Sequence, residues 1–168
     1  MNSQTVIKLL ITLFIYLLLQ IILIRNFVLF DVAFCFVYVA CILLLPDDIA
    51  PVWVIMISFL IGLLVDIFYN TAGIHAASSV AIGYLRPYII KFLFPGRSAE
   101  NEVVVSLGEM GAERFVRYVL FMTIVHHSLL FFIEAGGFQF FLITILKVIC
   151  SIIFTTSIIF LMEYVRGN

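Results

Sequence analysis

Six long apolar runs occupy most of this sequence and constrain the fold more than any other feature. A helix rises about 1.5 Å per residue, so a run of about 19 residues covers about 28 Å, close to the thickness of one bilayer hydrocarbon core. Each run is therefore predicted to form one transmembrane helix. The runs are residues 6–24, 27–45, 52–69, 76–94, 115–133 and 138–161.

The balance of residue types supports the same prediction. Of the 168 residues, 65% are hydrophobic and 11% are charged, whereas soluble domains average about 45–50% apolar and about 25% charged residues. Residues 1–168 are expected to form a single all-α domain, a six-helix transmembrane bundle surrounded by membrane lipids. The formal net charge of −1 gives no reason to expect a nucleic-acid partner.

Short polar or helix-breaking segments separate the runs. One sizeable polar loop, residues 95–114, lies between the fourth and fifth runs. Prolines end or begin helices, and paired glycines favour turns. The other breaks are Arg25-Asn26, residues 46–51, residues 70–73 and Gly136-Gly137.

The basic residues near the ends of the runs predict an orientation. Lysine and arginine are enriched on the cytoplasmic side of membrane proteins. With six spans, Arg25 stands alone on one side, and six basic residues lie on the other. Both termini and the 95–114 loop are therefore predicted to be cytoplasmic. The six are Lys8, Lys91, Arg97, Arg114, Arg117 and Arg166.

Asp66 lies near the end of the third run, and a carboxylate at bilayer depth needs a reason to be there. Gly62 is four residues earlier on the same helical face, where it would let a neighbouring helix approach closely. One interpretation is a proton or cation site. The other is a structural carboxylate that accepts hydrogen bonds from Asn70, Thr71 or His75.

Arg86 and Pro87 lie near the middle of the fourth run. Proline frees the carbonyl four residues earlier and kinks the helix. Arg86 is expected either to form a buried structural ion pair, with Asp66 as the nearest candidate, or to bind an anionic ligand. Ser79 and Gly83 in the same run form a small-residue pair that favours close helix packing.

A stripe of polar residues on the sixth run is predicted to face the bundle interior. It includes Lys147, which then needs a nearby carboxylate or carbonyl, and Glu134 and Asp66 are candidates. The stripe consists of Thr144, Lys147, Ser151 and Thr155.

His126-His127 is the pair most open to a metal interpretation. Adjacent helical residues point about 100° apart, so hydrogen bonds across helices are favoured over a metal site. Cys35, Cys41 and Cys150 show no metal-ligand spacing, and no hydrolase or phosphate-binding motif is present. Neither an enzyme nor a cofactor is expected.

Three short segments carry a resemblance to a known family: residues 62–68 (GLLVDIF), 73–76 (GIHA) and 84–87 (YLRP). This order resembles the rod shape-determining protein MreD family. The Arg86-Pro87 pair, the polar loop and His126-His127 resemble its Bacteroidota-type version. The resemblance implies a fold similar to the substrate-binding subunits of energy-coupling-factor transporters. It also implies an architectural role for Gly62, Asp66, Gly73 and His75 where the third and fourth spans meet.

The resemblance further implies a non-enzymatic scaffold of the cell-elongation machinery in the bacterial inner membrane. Such proteins help maintain cell shape by regulating peptidoglycan synthesis. The implied partners are a single-span MreC-like protein and, with it, MreB, RodA and a class B penicillin-binding transpeptidase.

A vitamin-binding subunit of a transporter is the alternative function. That family resembles this chain in fold and carries an A-x-x-x-A docking motif in its first span. Residues 6–24 contain no alanine, so the first span departs from that motif.

Overall fold

The structure is a computed structural model that describes residues 3–94 and 105–167. Five long helices and two short ones account for most of these residues. Residues 95–104 of the predicted polar loop lie outside the described part. The helices are α1 Ser3–Ile22, α2 Val39–Leu43, α3 Pro51–Tyr69, α4 Ile74–Leu93, α5 Leu107–Met110, α6 Ala112–Glu134 and α7 Phe141–Gly167.

Three of the described helices, α3, α6 and α7, are long and apolar enough to cross a membrane. Large apolar side chains are exposed along all three, as expected for surfaces that face hydrocarbon rather than water. The chain therefore has the architecture of an all-α membrane protein.

Residues with special backbone conformations set the helix ends. Pro51 begins α3, where its missing N–H leaves no helical bond unmade. Asn70 ends α3 in the left-handed region with φ 56°, and Gly73 precedes α4 with φ 84°. Gly136 and Gly137, with φ 66° and 126°, form the turn between α6 and α7. These breaks agree with those predicted from the sequence.

The long helices pack in sequence order. α3 packs on α4, α4 on α6, and α6 on α7. α1 is joined to the end of α7 by the Tyr16 hydroxyl, which donates to Glu163 at 2.7 Å. At the other end of α1, the Arg25 guanidinium lies 5.5 Å from the ring centroid of Tyr69.

The second apolar run, residues 27–45, does not form the predicted helix. A 3₁₀ turn at Ile24–Asn26 leads into two antiparallel strands, β1 Val28–Leu29 and β2 Ala33–Phe34. Phe30 and Asp31 turn the chain with φ 54° and 60°. The only helix in the run is α2, which has 5 residues. A six-helix bundle is therefore wrong for this part of the chain.

Composition explains the difference. Residues 27–39 are rich in valine and phenylalanine, which favour extended backbone when they can pack on both sides. An apolar run of this kind also fits a fully buried strand, and periodicity cannot separate the two. Residues 33–45, called here the buried segment, are all buried except Phe34, which is partly buried. This segment, rather than a sixth long helix, fills the centre of the bundle.

The buried segment runs antiparallel to α1 through the interior. Cys35 lies opposite Gln20, whereas Cys41 lies opposite Leu13. Further along, Leu43 reaches Tyr118, near the start of α6. The segment therefore passes from the end where α3 meets α4 towards the opposite end of the bundle.

Candidate functional site

The junction between α3 and α4 is built around a contact that only glycine permits. A Cβ atom added to Gly62 would lie 2.5 Å from the Ala76 Cα and 2.6 Å from the His75 carbonyl oxygen. Backbone atoms cannot yield easily, so any side chain would force the two helices apart. The close helix approach predicted at Gly62 is therefore confirmed.

Asp66 caps the start of α4 from the neighbouring helix. Its Oδ1 accepts the His75 backbone N–H at 3.0 Å, and its Oδ2 accepts the Ala76 N–H at 2.9 Å. The Thr71 hydroxyl donates to Oδ1 as well. Carboxylates stabilise a helix N-terminus because unpaired N–H groups and the helix dipole meet there. Two donors expected from the sequence, Thr71 and His75, thus surround the carboxylate, which favours the structural interpretation over a cation site.

His75 connects this junction to the centre of the bundle. Its Nδ1 lies 3.1 Å from the Asp66 Oδ1. Its ring centroid lies 5.0 Å from that of Tyr69 and 5.6 Å from that of Phe36 in the buried segment. Gly73, with its positive φ, allows the turn that brings His75 back over Asp66.

Arg86 binds the end of the buried segment rather than Asp66. Its Nε lies 3.5 Å from the Leu43 carbonyl oxygen, and a second guanidinium nitrogen donates to the Leu45 carbonyl. Leu43 is the last residue of α2 and Leu45 follows its end, so neither carbonyl has a partner within the helix. The nearest carboxylate is that of Asp47, at 4.0 Å. Asp66 was therefore the wrong partner to expect.

Pro87 lies in the interior of α4, directly after the buried Arg86. Its ring has no N–H to donate, so the helix lacks one backbone bond here. The structure places Pro87 within a continuous helix that ends at Leu93.

Side chains of neighbouring helices satisfy the backbone of the buried segment. The Ser151 hydroxyl accepts the Phe34 N–H at 2.9 Å, and the Thr155 hydroxyl accepts the Phe36 N–H at 3.1 Å. The Gln20 side chain donates to the Cys35 carbonyl at 3.2 Å and accepts the Tyr38 N–H at 3.3 Å. Non-helical backbone is tolerated at membrane depth only when protein groups replace its missing hydrogen bonds. The predicted inward-facing stripe on α7 supplies two of those groups.

The two adjacent histidines bind different elements. The His126 Nε2 lies 2.5 Å from the Tyr38 hydroxyl, and the His127 Nε2 lies 3.0 Å from the Thr155 hydroxyl. The His127 Nδ1 also contacts the Thr123 carbonyl at 2.8 Å. The hydrogen-bonding interpretation is therefore confirmed, and within the described residues no group of three or more potential ligands is placed to hold a metal ion.

Lys147 lies away from this network, in a cavity between α6 and α7. Its ammonium group lies 5.5 Å from the Phe34 ring centroid. Glu134, one of the two expected partners, lines the same cavity. Asp66, the other expected partner, instead accepts hydrogen bonds from the backbone at the start of α4.

No known family model, no curated protein and no solved structure matches this chain. The resemblance to the MreD family therefore depends on the residues quoted in the sequence analysis.

Several residues that organise the interior have weak sequence signals. Gln20 is the single amide in the first apolar run, and a lone amide at that depth indicates a hydrogen-bonding role. Tyr38 and Tyr118 look like any other aromatic residue in an apolar run. Asp47 lies in a loop, so its position near Arg86 depends on the unpredicted path of the buried segment.

Proposed function

We propose that this chain is a non-enzymatic scaffold of the bacterial cell-elongation machinery, similar in role to MreD proteins. One observation carries the proposal. The four residues that define the resemblance, Gly62, Asp66, Gly73 and His75, form one connected unit in which helix approach, cap and turn depend on each other. An architectural role for that motif requires this kind of geometry.

The use of the buried polar groups supports the same role. Arg86, Gln20, Thr155 and Asp66 each bind backbone atoms of another element. A side chain whose hydrogen bonds hold the main chain in place acts as structure. Such a frame suits a protein that positions partners.

The proposed topology has six passes across the inner membrane, with both termini in the cytoplasm. Five passes are the long helices, and the buried segment makes the second. Because the buried segment runs antiparallel to α1, successive passes still alternate in direction, as the distribution of basic residues predicts.

A groove between α1 and α7 is the surface that we propose for the single apolar helix of an MreC-like partner. It has a volume of about 390 Å³. Tyr16 and Glu163 join the two helices near this groove, which leaves a furrow with mostly apolar walls. Within a bilayer, an apolar helix binds such a furrow through close packing. The lining residues are Thr12, Ile15, Tyr16, Leu161, Met162, Val165 and Arg166.

The experiment is co-purification combined with site-specific photo-cross-linking. A photoreactive residue at Ile15 or Val165 in detergent-solubilised membranes should cross-link an MreC-like protein. The same residue at Tyr84, exposed on α4 and outside the groove, should not.

Two results separate scaffold from enzyme. For a scaffold, Asp66→Asn should reduce partner recovery or stability, whereas an enzyme would lose turnover while remaining folded. Failure to recover any MreC-like protein with an intact bundle would contradict the proposal. In the elongation machinery, MreB, RodA and a class B transpeptidase should then co-purify through that partner.

A further inference from the structure

The cavity that contains Lys147 has walls of opposite charge. Its volume is about 330 Å³, and it opens where α6 ends and α7 begins. The walls are otherwise mostly aromatic and aliphatic. They consist of Phe131, Glu134, Ala135, Phe140, Ile143, Thr144 and Lys147.

Lys147 is half-buried here and forms no ion pair with any residue that the structure describes. Its nearest described partner is the Phe34 ring, at 5.5 Å. Within residues 3–94 and 105–167, no carboxylate lies within ion-pair distance of its ammonium group. A cation–π contact offsets only part of the cost of removing an ammonium group from water. The cavity therefore favours an anionic group beside Lys147.

The ends of α6 and α7 place opposite partial charges at the cavity. α7 begins at Phe141, and Ile143 and Thr144 of its first turn line the cavity, so the positive end of its dipole lies at the cavity wall. α6 ends at Glu134, so the negative end of its dipole lies beside that carboxylate. One side of the cavity thus attracts an anion and the other a cation.

We propose that this cavity binds a zwitterion in which a phosphate and a primary ammonium are a few bonds apart, as in an ethanolamine phospholipid headgroup. The phosphate would lie against Lys147 and the ammonium against Glu134. Phe140 and Ile143, both exposed, would contact the start of the acyl chains. A cavity near the lower limit of known ligand sites, about 300 Å³, suits a headgroup whose chains remain in the bilayer.

This inference is independent of the scaffold proposal, because it depends on the α6–α7 end rather than on the groove between α1 and α7. The test is a lipid titration of the purified, detergent-solubilised protein, followed by native mass spectrometry. Phosphatidylethanolamine should bind more tightly than phosphatidylglycerol, which lacks the ammonium, and than phosphatidylcholine, whose ammonium cannot donate hydrogen bonds.

Three variants separate the contributions. Lys147→Met should weaken phosphatidylethanolamine binding by at least about tenfold. Glu134→Gln should remove the preference over phosphatidylglycerol. Ile143→Trp keeps both charges but fills the cavity, so it should also abolish binding. Lys91→Met, an exposed lysine near the end of α4, is the matched control and should change nothing.

Equal binding of the three lipids, or unchanged binding in Lys147→Met with a folded protein, would overturn the proposal. Loss of binding in Lys91→Met to the same extent would also overturn it. Competition with soluble phosphoethanolamine distinguishes a free zwitterion from a lipid headgroup. Competition at matched concentration assigns the site to a free small molecule, and no competition assigns it to the lipid.

Discussion

The α3–α4 hairpin and the buried segment satisfy their backbones in opposite ways. In the hairpin, both elements are helices. Asp66 accepts the backbone N–H groups at the start of α4, and the Thr71 hydroxyl donates to the same carboxylate, so all the partners lie within a few residues. The buried segment has turn and helix bonds of its own from Phe36 onwards. Its extended part and its last carbonyls, however, use donors and acceptors from four long helices, α1, α4, α6 and α7. Similar apolar composition thus gives one locally determined structure and one that depends on distant parts of the chain.

The largest expected effect is at the end of the buried segment. Arg86→Met should lower the free energy of unfolding by about 3–5 kcal/mol, because the Leu43 and Leu45 carbonyls and Asp47 lose their cationic donor. Thermal unfolding in detergent measures the loss. The control is Arg117→Met, which removes an exposed ion pair with Glu113 and should cost less than about 1 kcal/mol. Equal losses would show that the segment does not depend on Arg86.

Gly62→Ala tests the hairpin. The new Cβ would lie 2.5 Å from a backbone atom of α4, so we expect a loss of about 2–3 kcal/mol from forced helix separation. Gly108→Ala is the matched control, since no atom lies within 4 Å of its added Cβ. If both variants unfold at the wild-type temperature, the close contact does not stabilise the hairpin.

Asp66→Asn tests whether the hairpin needs a full carboxylate. An asparagine keeps one oxygen for the α4 cap, but its amide group faces donors and cannot accept from them. We expect a loss of about 1–3 kcal/mol, measured by the same unfolding assay. Asp48→Asn, in an exposed loop position, should be neutral. A neutral Asp66→Asn would mean that the cap needs one acceptor only.

The smallest effect is expected for a single borrowed bond. Thr155→Val removes the hydroxyl that accepts the Phe36 N–H and contacts His127, at a cost of about 1–2 kcal/mol. In Thr12→Val the lost hydroxyl bonds only within its own helix, to the Lys8 carbonyl, so little change is expected. Comparing the two unfolding temperatures shows how much one acceptor from α7 contributes to the buried segment.

The hairpin was predictable because its signals are local. Pro51, Asn70 and Gly73 mark helix ends through their own backbone preferences, so the predicted span at 52–69 differs little from α3. The spacing of Gly62 and Asp66 placed both on one face, and their contacts follow from that geometry.

The buried segment was not predictable, because its conformation depends on partners elsewhere in the sequence. Length and apolar character fitted a helix equally well. Only Asp31, near the turn, and the density of valine and phenylalanine pointed the other way. The wrong partner for Arg86 follows from the wrong prediction for residues 27–45. In a continuous helix the Leu43 and Leu45 carbonyls would not have been expected to accept from Arg86.

The separation in sequence between the buried segment and its partners has a consequence for how this protein is made. Phe34 and Phe36 bind residues of α7 that are 117 and 119 positions later in the chain. α7 is synthesised after every other described helix. Residues 27–45 therefore leave the insertion machinery before the Ser151 and Thr155 hydroxyls have been made. Backbone N–H and C=O groups without hydrogen-bond partners are too costly to expose to the hydrocarbon core. We therefore expect this stretch to insert as a temporary helix, or to remain shielded, and to unwind into its final path once the last helix arrives.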